Sequence, residues 1–261
     1  MNFIHLIQVE RKKIRRSKIL LLLLIAAIVL WLPSLFNIDM SFDTQTTGIT
    51  PENNFFIQGF LGFSWFLFPA GMVVAVVLIR QLELGNKGIL KMLALPVNPA
   101  LLSLAKFVIL LLISAIFILF AVIVYYVAAG YGSMVNDYNM ILSPTFVLKE
   151  AAVFFVVSIP MLSFFWLLSV CLQTMIFSAG ISLVSVIPSV LIMNSDYWFM
   201  YPMCYPFFVV TAKYGQLAPD LSTSQISYLP WIPVAIGITI ICLAFPVYSL
   251  EKLKGGKSTY E

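Results

Sequence analysis

The sequence predicts an all-α integral membrane protein: a six-transmembrane-helix bundle with an N-terminal amphipathic interfacial helix and a short amphipathic helix between the second and third spans. Three observations lead there. The composition is 61% hydrophobic and only 10% charged, against about 25% charged in a soluble domain. Six apolar segments are each long enough to cross a hydrocarbon layer of ~30 Å, which takes about 20 residues. These runs are continuous and do not alternate apolar with polar, which excludes a transmembrane barrel. The length suits one transmembrane domain over residues 1–261.

The predicted spans are about 19–36, 56–79, 102–129, 151–172, 175–193 and 229–250. The fourth and fifth come from one run, Ala151 to Met193. As a single helix at about 1.5 Å per residue it would be twice as long as the membrane is thick. It must fold back, and the break falls in "LQTMIFSAG", Leu172 to Gly180. The first segment exceeds a usual signal-peptide core and lacks a small-residue cleavage site, so a retained signal-anchor is expected.

Orientation follows from Lys and Arg near the span ends. Arg11, Lys12, Lys13, Arg15, Arg16 and Lys18 precede the first span. Arg80, Lys87, Lys91 and Lys106 flank the second loop, and Lys252, Lys254 and Lys257 lie in the tail. Six spans put these three regions on one side, with thirteen of the fifteen basic residues; only Lys149 and Lys213 lie opposite. Seven of the eleven acids, among them Glu52, Glu150 and Asp220, fall on that opposite side. Cytoplasmic N and C termini are expected, and the net charge of +4 reflects topology, with no nucleic-acid partner.

Ionisable groups at membrane depth are costly and mark catalytic or ion-coupled function, and the span centres carry none. The single histidine, His5, has no second ligand or base in reach by sequence. Cys171, Cys204 and Cys242 fit no metal-binding or redox spacing. No catalytic residue and no metal site are expected. "GGKS", Gly255 to Ser258, resembles the end of a phosphate-binding loop, but Glu251 occupies the place of the first glycine and no strand precedes it. No cofactor is expected in this chain.

Three segments carry information. In "MNFIHLIQVERKKIRRSK", Phe3, Ile4, Ile7 and Ile14 fall near one helical face, followed by Arg11, Lys12, Arg15 and Arg16. This suits a helix on the inner leaflet with its charges toward anionic membrane lipid. The segment after the fifth span is too apolar for an ordinary loop and broken by prolines. Its Trp198, Tyr201, Tyr205 and Phe207 suit an aromatic belt or re-entrant hairpin; a sharper reading makes them an external gate.

The third segment is "RQLELGNKGILKMLALPVNP", Arg80 to Pro99. Ile89, Leu90, Leu93, Ala94 and Val97 recur at helical spacing, Lys87 and Lys91 stack four apart, and Pro96 and Pro99 end the helix. Glu83 and Gly85 precede it at the turn out of the second span. An apolar face has no use in a mere tether.

These residues resemble the type-2 ATP-binding-cassette exporter permeases. Glu83, Gly88, Leu90, Leu93, Leu95, Pro96, Val97 and Lys106 match that family's glutamate turn, glycine, leucine-rich helix, proline-valine pair and following lysine. Ile89 and Asn98 depart from the small or hydroxyl residues usual there. Size and the proline- and tyrosine-rich external segment are most similar to permeases for lantibiotic immunity or bacitracin-type peptide resistance in the bacterial cell membrane.

The resemblance implies two separate ATPase subunits that hold ATP and Mg, and a second permease subunit, identical or homologous. It also makes the 85–97 helix a coupling helix, with Glu83, Gly85, Lys87, Gly88, Leu90, Lys91, Leu93 and Pro96 at the docking surface. The implied function is export of an antimicrobial peptide or another amphipathic, lipid-like substrate. A non-transporting membrane scaffold, or less readily an intramembrane lipid-modifying enzyme, is the alternative.

Overall fold

A computed structural model describes residues 3–15, 17–42, 48–84, 98–172, 174–218 and 228–255, and among these residues it contains helices and no strands. Among the described residues ten α-helices follow one another: α1 (Phe3–Arg15), α2 (Ile19–Phe36), α3 (Pro51–Gly62), α4 (Phe68–Leu84), α5 (Pro99–Val135), α6 (Pro144–Cys171), α7 (Met175–Val184), α8 (Ser189–Ile192), α9 (Tyr205–Leu217) and α10 (Tyr228–Gly255). Among the described residues six stretches are long and apolar enough to cross a membrane by length and composition: Ile19–Phe36, Pro51–Leu82, Ala100–Val135, Pro144–Cys171, Met175–Ile192 and Leu229–Tyr248. The chain is a multi-pass membrane protein.

Several helices outrun the expected spans. The Asn98 side chain accepts the Ala100 N–H at 2.8 Å and so caps α5. Pro99, expected to end the preceding helix, instead opens α5 at its first position. Its missing N–H is harmless there, because the first N–H groups of a helix lack intrahelical partners anyway.

The second crossing joins α3 to α4 through a π-helical turn, Phe63–Leu67, in which the Phe68 N–H reaches the Phe63 carbonyl. Pro69 supplies the reason. In a regular helix its ring would clash with the carbonyl four residues back, on Trp65, and the wider turn removes that clash.

Around this crossing sits the core. Trp31 of α2 is fully buried and donates its Nε1–H to the Ala121 carbonyl of α5 at 3.0 Å. Its ring lies so close to Gly59 that a Cβ there would come within 2.2 Å of it, so α2 and α3 touch only because residue 59 is glycine. One turn deeper, Phe63, Phe68, Phe117 and Phe154 are all buried and interlock at 5.0–6.0 Å between ring centroids. The loop from α5 to α6 is fastened by Tyr125, whose hydroxyl donates to the Met140 carbonyl and accepts from the Leu142 N–H.

The fifth crossing differs from the expectation of a helix over 175–193. The fold-back after α6 is there, between Cys171 and Met175. However, α7 is only 10 residues long, about 15 Å at 1.5 Å per residue. It stops at Val184 because Pro188 cannot follow the carbonyl of that residue in a regular helix. A turn and the short α8 come next, then a 3-10 turn at Trp198–Met200 and the 13-residue α9. α7 packs on α4 and α6, whereas α9 packs on α3 and α6. The stretch Met175–Ile192 is thus an interrupted helix, and α9 follows it with Phe207 beside Trp65 of the π turn.

Candidate functional site at the basic end of the bundle

The end of the bundle that carries α1 holds the candidate site. α1 lies against α5, and the apolar contact is Leu6 with Leu102 and Ala105, flanked by Phe3 and Ile7. Ile14 enters the main core. The buried stripe is thus 3, 6, 7, 10 and 14, a three-and-four spacing in which Glu10 occupies an otherwise apolar position. Ile4, expected on this face, is 71% exposed; packing on α5 turned the face by one residue toward Leu6.

Glu10 is the residue that sequence reasoning missed. It is buried, and its carboxylate takes Lys13 at 2.6 Å and Lys106 at 3.1 Å. Lys106 stands two turns into α5 and is buried as well. A buried carboxylate is tolerable only with paired cations, and here one cation comes from its own helix and the other from the third span. The pair ties α1 to the start of α5. A lone acid on the apolar stripe of an otherwise basic helix was the signal available in the sequence.

Arg11 and Lys12 are exposed, while Arg15 lies in the last turn of α1. Arg16 falls outside the described residues. Glu83 sits in the last turn of α4. Gly85, Lys87, Gly88, Leu90, Lys91, Leu93 and Pro96, the remainder of the expected coupling surface, lie outside the described residues. Their flanks are placed: α4 ends at Leu84 and α5 begins at Pro99, and the start of α5 is where α1 is anchored.

Of the expected gate residues, Trp198 and Tyr205 come together. Trp198 stacks on Phe208 at 3.7 Å between centroids, and both Trp198 and Tyr205 meet Trp231 of α10 at 5.3 and 5.6 Å. Tyr205 is fully buried and its hydroxyl donates to the Phe199 carbonyl. Tyr201 donates to the Ser185 carbonyl, which braces the break after α7. Phe207 sits apart from this cluster, beside Trp65. Beyond them, at the far end of α9, Lys213 pairs with Glu150 at 2.9 Å and lies over the Phe146 ring. At the same end Tyr138 donates to Glu52 at 2.6 Å, and that bond holds its phenol above the usual tyrosine range.

An apolar cleft of about 520 Å³ runs between α6, α9 and α10, walled by Val156, Ile159, Val209, Ile236 and Ile240. Among the described residues no group of three or more His, Cys, Asp or Glu is placed to hold a metal ion. The three cysteines are free thiols, Cys204 and Cys242 buried and Cys171 exposed.

The sequence model for the ABC-2 family transporter protein matches residues 6–189, from the second turn of α1 to the first residue of α8 and well over half of the chain. No curated protein and no solved structure matches. The matched region contains the α1–α5 junction, the segment between α4 and α5, and the crossings that surround them, and the chain belongs to the ABC-2 family of transporter proteins as the permease component of an ABC transporter that works with ATPase partners.

Proposed function

We propose that this chain is the permease subunit of a bacterial exporter that moves an antimicrobial peptide, or another amphipathic and lipid-like substrate, out of the cell membrane. Both termini face the cytoplasm, as the concentration of Lys and Arg at the α1 end supports. Two such permeases, identical or homologous, assemble over two ATPase subunits that bind ATP and Mg.

The observation that carries this reading is the buried attachment of α1 to the start of α5 through Glu10 and Lys106. It makes α1 and α5, the helix that follows the 85–97 segment, one mechanical unit. A push on that segment moves the base of α5 and carries α1 with it, and α5 runs the full depth of the bundle. In this reading the apolar face of Leu90 and Leu93 docks in the ATPase, and Lys87 and Lys91 orient it. Glu83, Gly85, Gly88 and Pro96 shape the turns on either side.

At the opposite end the aliphatic cleft between α6, α9 and α10 suits a hydrocarbon chain leaving sideways. Tyr205 lines that cleft and meets Trp198; with Tyr201 and Phe207 these are the residues of the proposed external gate. The reading is tested by comparing susceptibility of cells with and without the complete transporter to a panel of lantibiotics, bacitracin and lipopeptides. Protection that disappears when the ATPase is inactivated supports it. Equal susceptibility across the panel contradicts the peptide substrate.

A further inference from the structure

We propose that the basic end of the bundle contains a defined binding site for one anionic phospholipid, seated between α2 and α4 with its headgroup held by Lys12 of α1 and Lys18 of the bend before α2. A groove of about 590 Å³ opens there. Its walls are Leu21, Leu22 and Ile25 of α2 and Leu78 and Leu82 of α4. From Lys18 to Ile25 it follows seven residues of helix, about 10 Å at 1.5 Å per residue, enough for the upper half of an acyl chain.

The mouth is polar, formed by Ser17, Lys18 and Gln81. Leu82 also borders a second cleft of about 480 Å³, lined by Val9, Lys12 and Lys13. The two hollows meet at Leu82, so a headgroup above that leucine has Lys18 on one side and Lys12 on the other. Lys12 and Lys18 are both exposed.

Charge and shape choose the occupant together. Of the five described charged or polar side chains around the two mouths, three are lysines and none is acidic. The groove beneath is aliphatic, so a free anion fills only the rim and a neutral lipid only the groove. A phospholipid with an anionic headgroup uses both. Lysines near the inner-leaflet surface attract anionic headgroups. The bend between α1 and α2 at Ser17 and Lys18 places that headgroup against both helices, so the bound lipid braces the angle at which α1 meets the bundle.

The inference rests on the proposed placement of the α1 end at the inner leaflet. Its test needs neither ATP nor transport, so its failure leaves the transporter reading untouched. The purified full chain in mild detergent is titrated with phosphatidylglycerol and with phosphatidylcholine of the same chains, and retained lipid is counted by native mass spectrometry. The expected result is one phosphatidylglycerol bound at least tenfold more tightly than phosphatidylcholine. Lys12→Gln with Lys18→Gln should reduce that preference to within twofold. Leu22→Trp, which fills the groove, should prevent retention of the lipid while thermal unfolding stays unchanged. Lys149→Gln at the opposite end should change nothing, and soluble glycerol phosphate should not compete.

Equal retention of the two lipids by the unaltered chain overturns the proposal. So does a preference that survives the double lysine replacement, or competition by glycerol phosphate, which would make the site a simple anion site. Spontaneous disulfide cross-linking of Leu22→Cys between two copies in membranes would also overturn it, by showing that a second chain fills the groove.

Discussion

Glu10 of α1 and Lys106 of α5 meet at 3.1 Å with both side chains withdrawn from solvent, and Lys13 completes the contact at 2.6 Å. Buried pairs are strongly asymmetric in their response to mutation. Removing both charges costs little, whereas removing one leaves the other stranded. Glu10→Gln removes one buried partner of Lys106 and should lower stability, by up to about 3 kcal/mol. Glu10→Gln with Lys106→Met should recover most of that loss in thermal unfolding of the detergent-solubilised protein. A double variant as unstable as Glu10→Gln alone would show that the pair is not the contact that matters.

Close approach of α2 and α3 gives a second prediction. A methyl group at residue 59 would enter the Trp31 ring, with Cβ only 2.2 Å away. Gly59→Ala should destabilise by about 1–3 kcal/mol, the usual cost of overpacking. Adding Trp31→Phe should make the loss clearly smaller than the sum of the two single changes, because the residues share one contact. Additive losses would contradict the packing described.

The aromatic cluster should divide sharply by burial. Phe208 is 5% exposed and stacked on Trp198, while Tyr197 is 69% exposed. Phe208→Ala should cost about 3–5 kcal/mol, and Tyr197→Ala should stay within about 0.5 kcal/mol. Unfolding of the two variants side by side reads the difference directly.

Lys213 and Glu150 pair at 2.9 Å but keep 24% and 16% of their side-chain surface exposed. Solvent screens such a pair, so Lys213→Met should cost no more than about 1 kcal/mol. The loss should shrink further at high salt, where exposed charges are screened. A salt-independent loss several times larger would mean that the pair is shielded in the membrane by a neighbouring subunit.

Most of the bundle was legible in the sequence because lipid imposes a simple test on composition: the apolar runs that became α2, α5, α6 and α10 can do little else. What stayed hidden had local causes. The π turn answers Pro69, and a run of apolar residues gives no sign of one extra residue in a turn. α9 was concealed by Pro206, which looks like a breaker but stands in the first turn of the helix, where proline is tolerated. The site was only half readable. Periodicity gave the apolar stripe of α1, but Glu10 belonged to it only because Lys106 arrives from ninety-six residues away. The docking residues from Gly85 to Pro96 rest on sequence pattern and on the placement of their flanks.

The central claim is that energy enters through the 85–97 segment. Leu90→Asp with Leu93→Asp would replace its apolar face while leaving the membrane spans intact, so the decisive measurement is co-purification of the partner ATPase with this variant and with the unaltered chain from membranes. The account predicts normal membrane insertion of both and loss of the ATPase from the variant alone. Undiminished co-purification, together with undiminished peptide resistance, would contradict it.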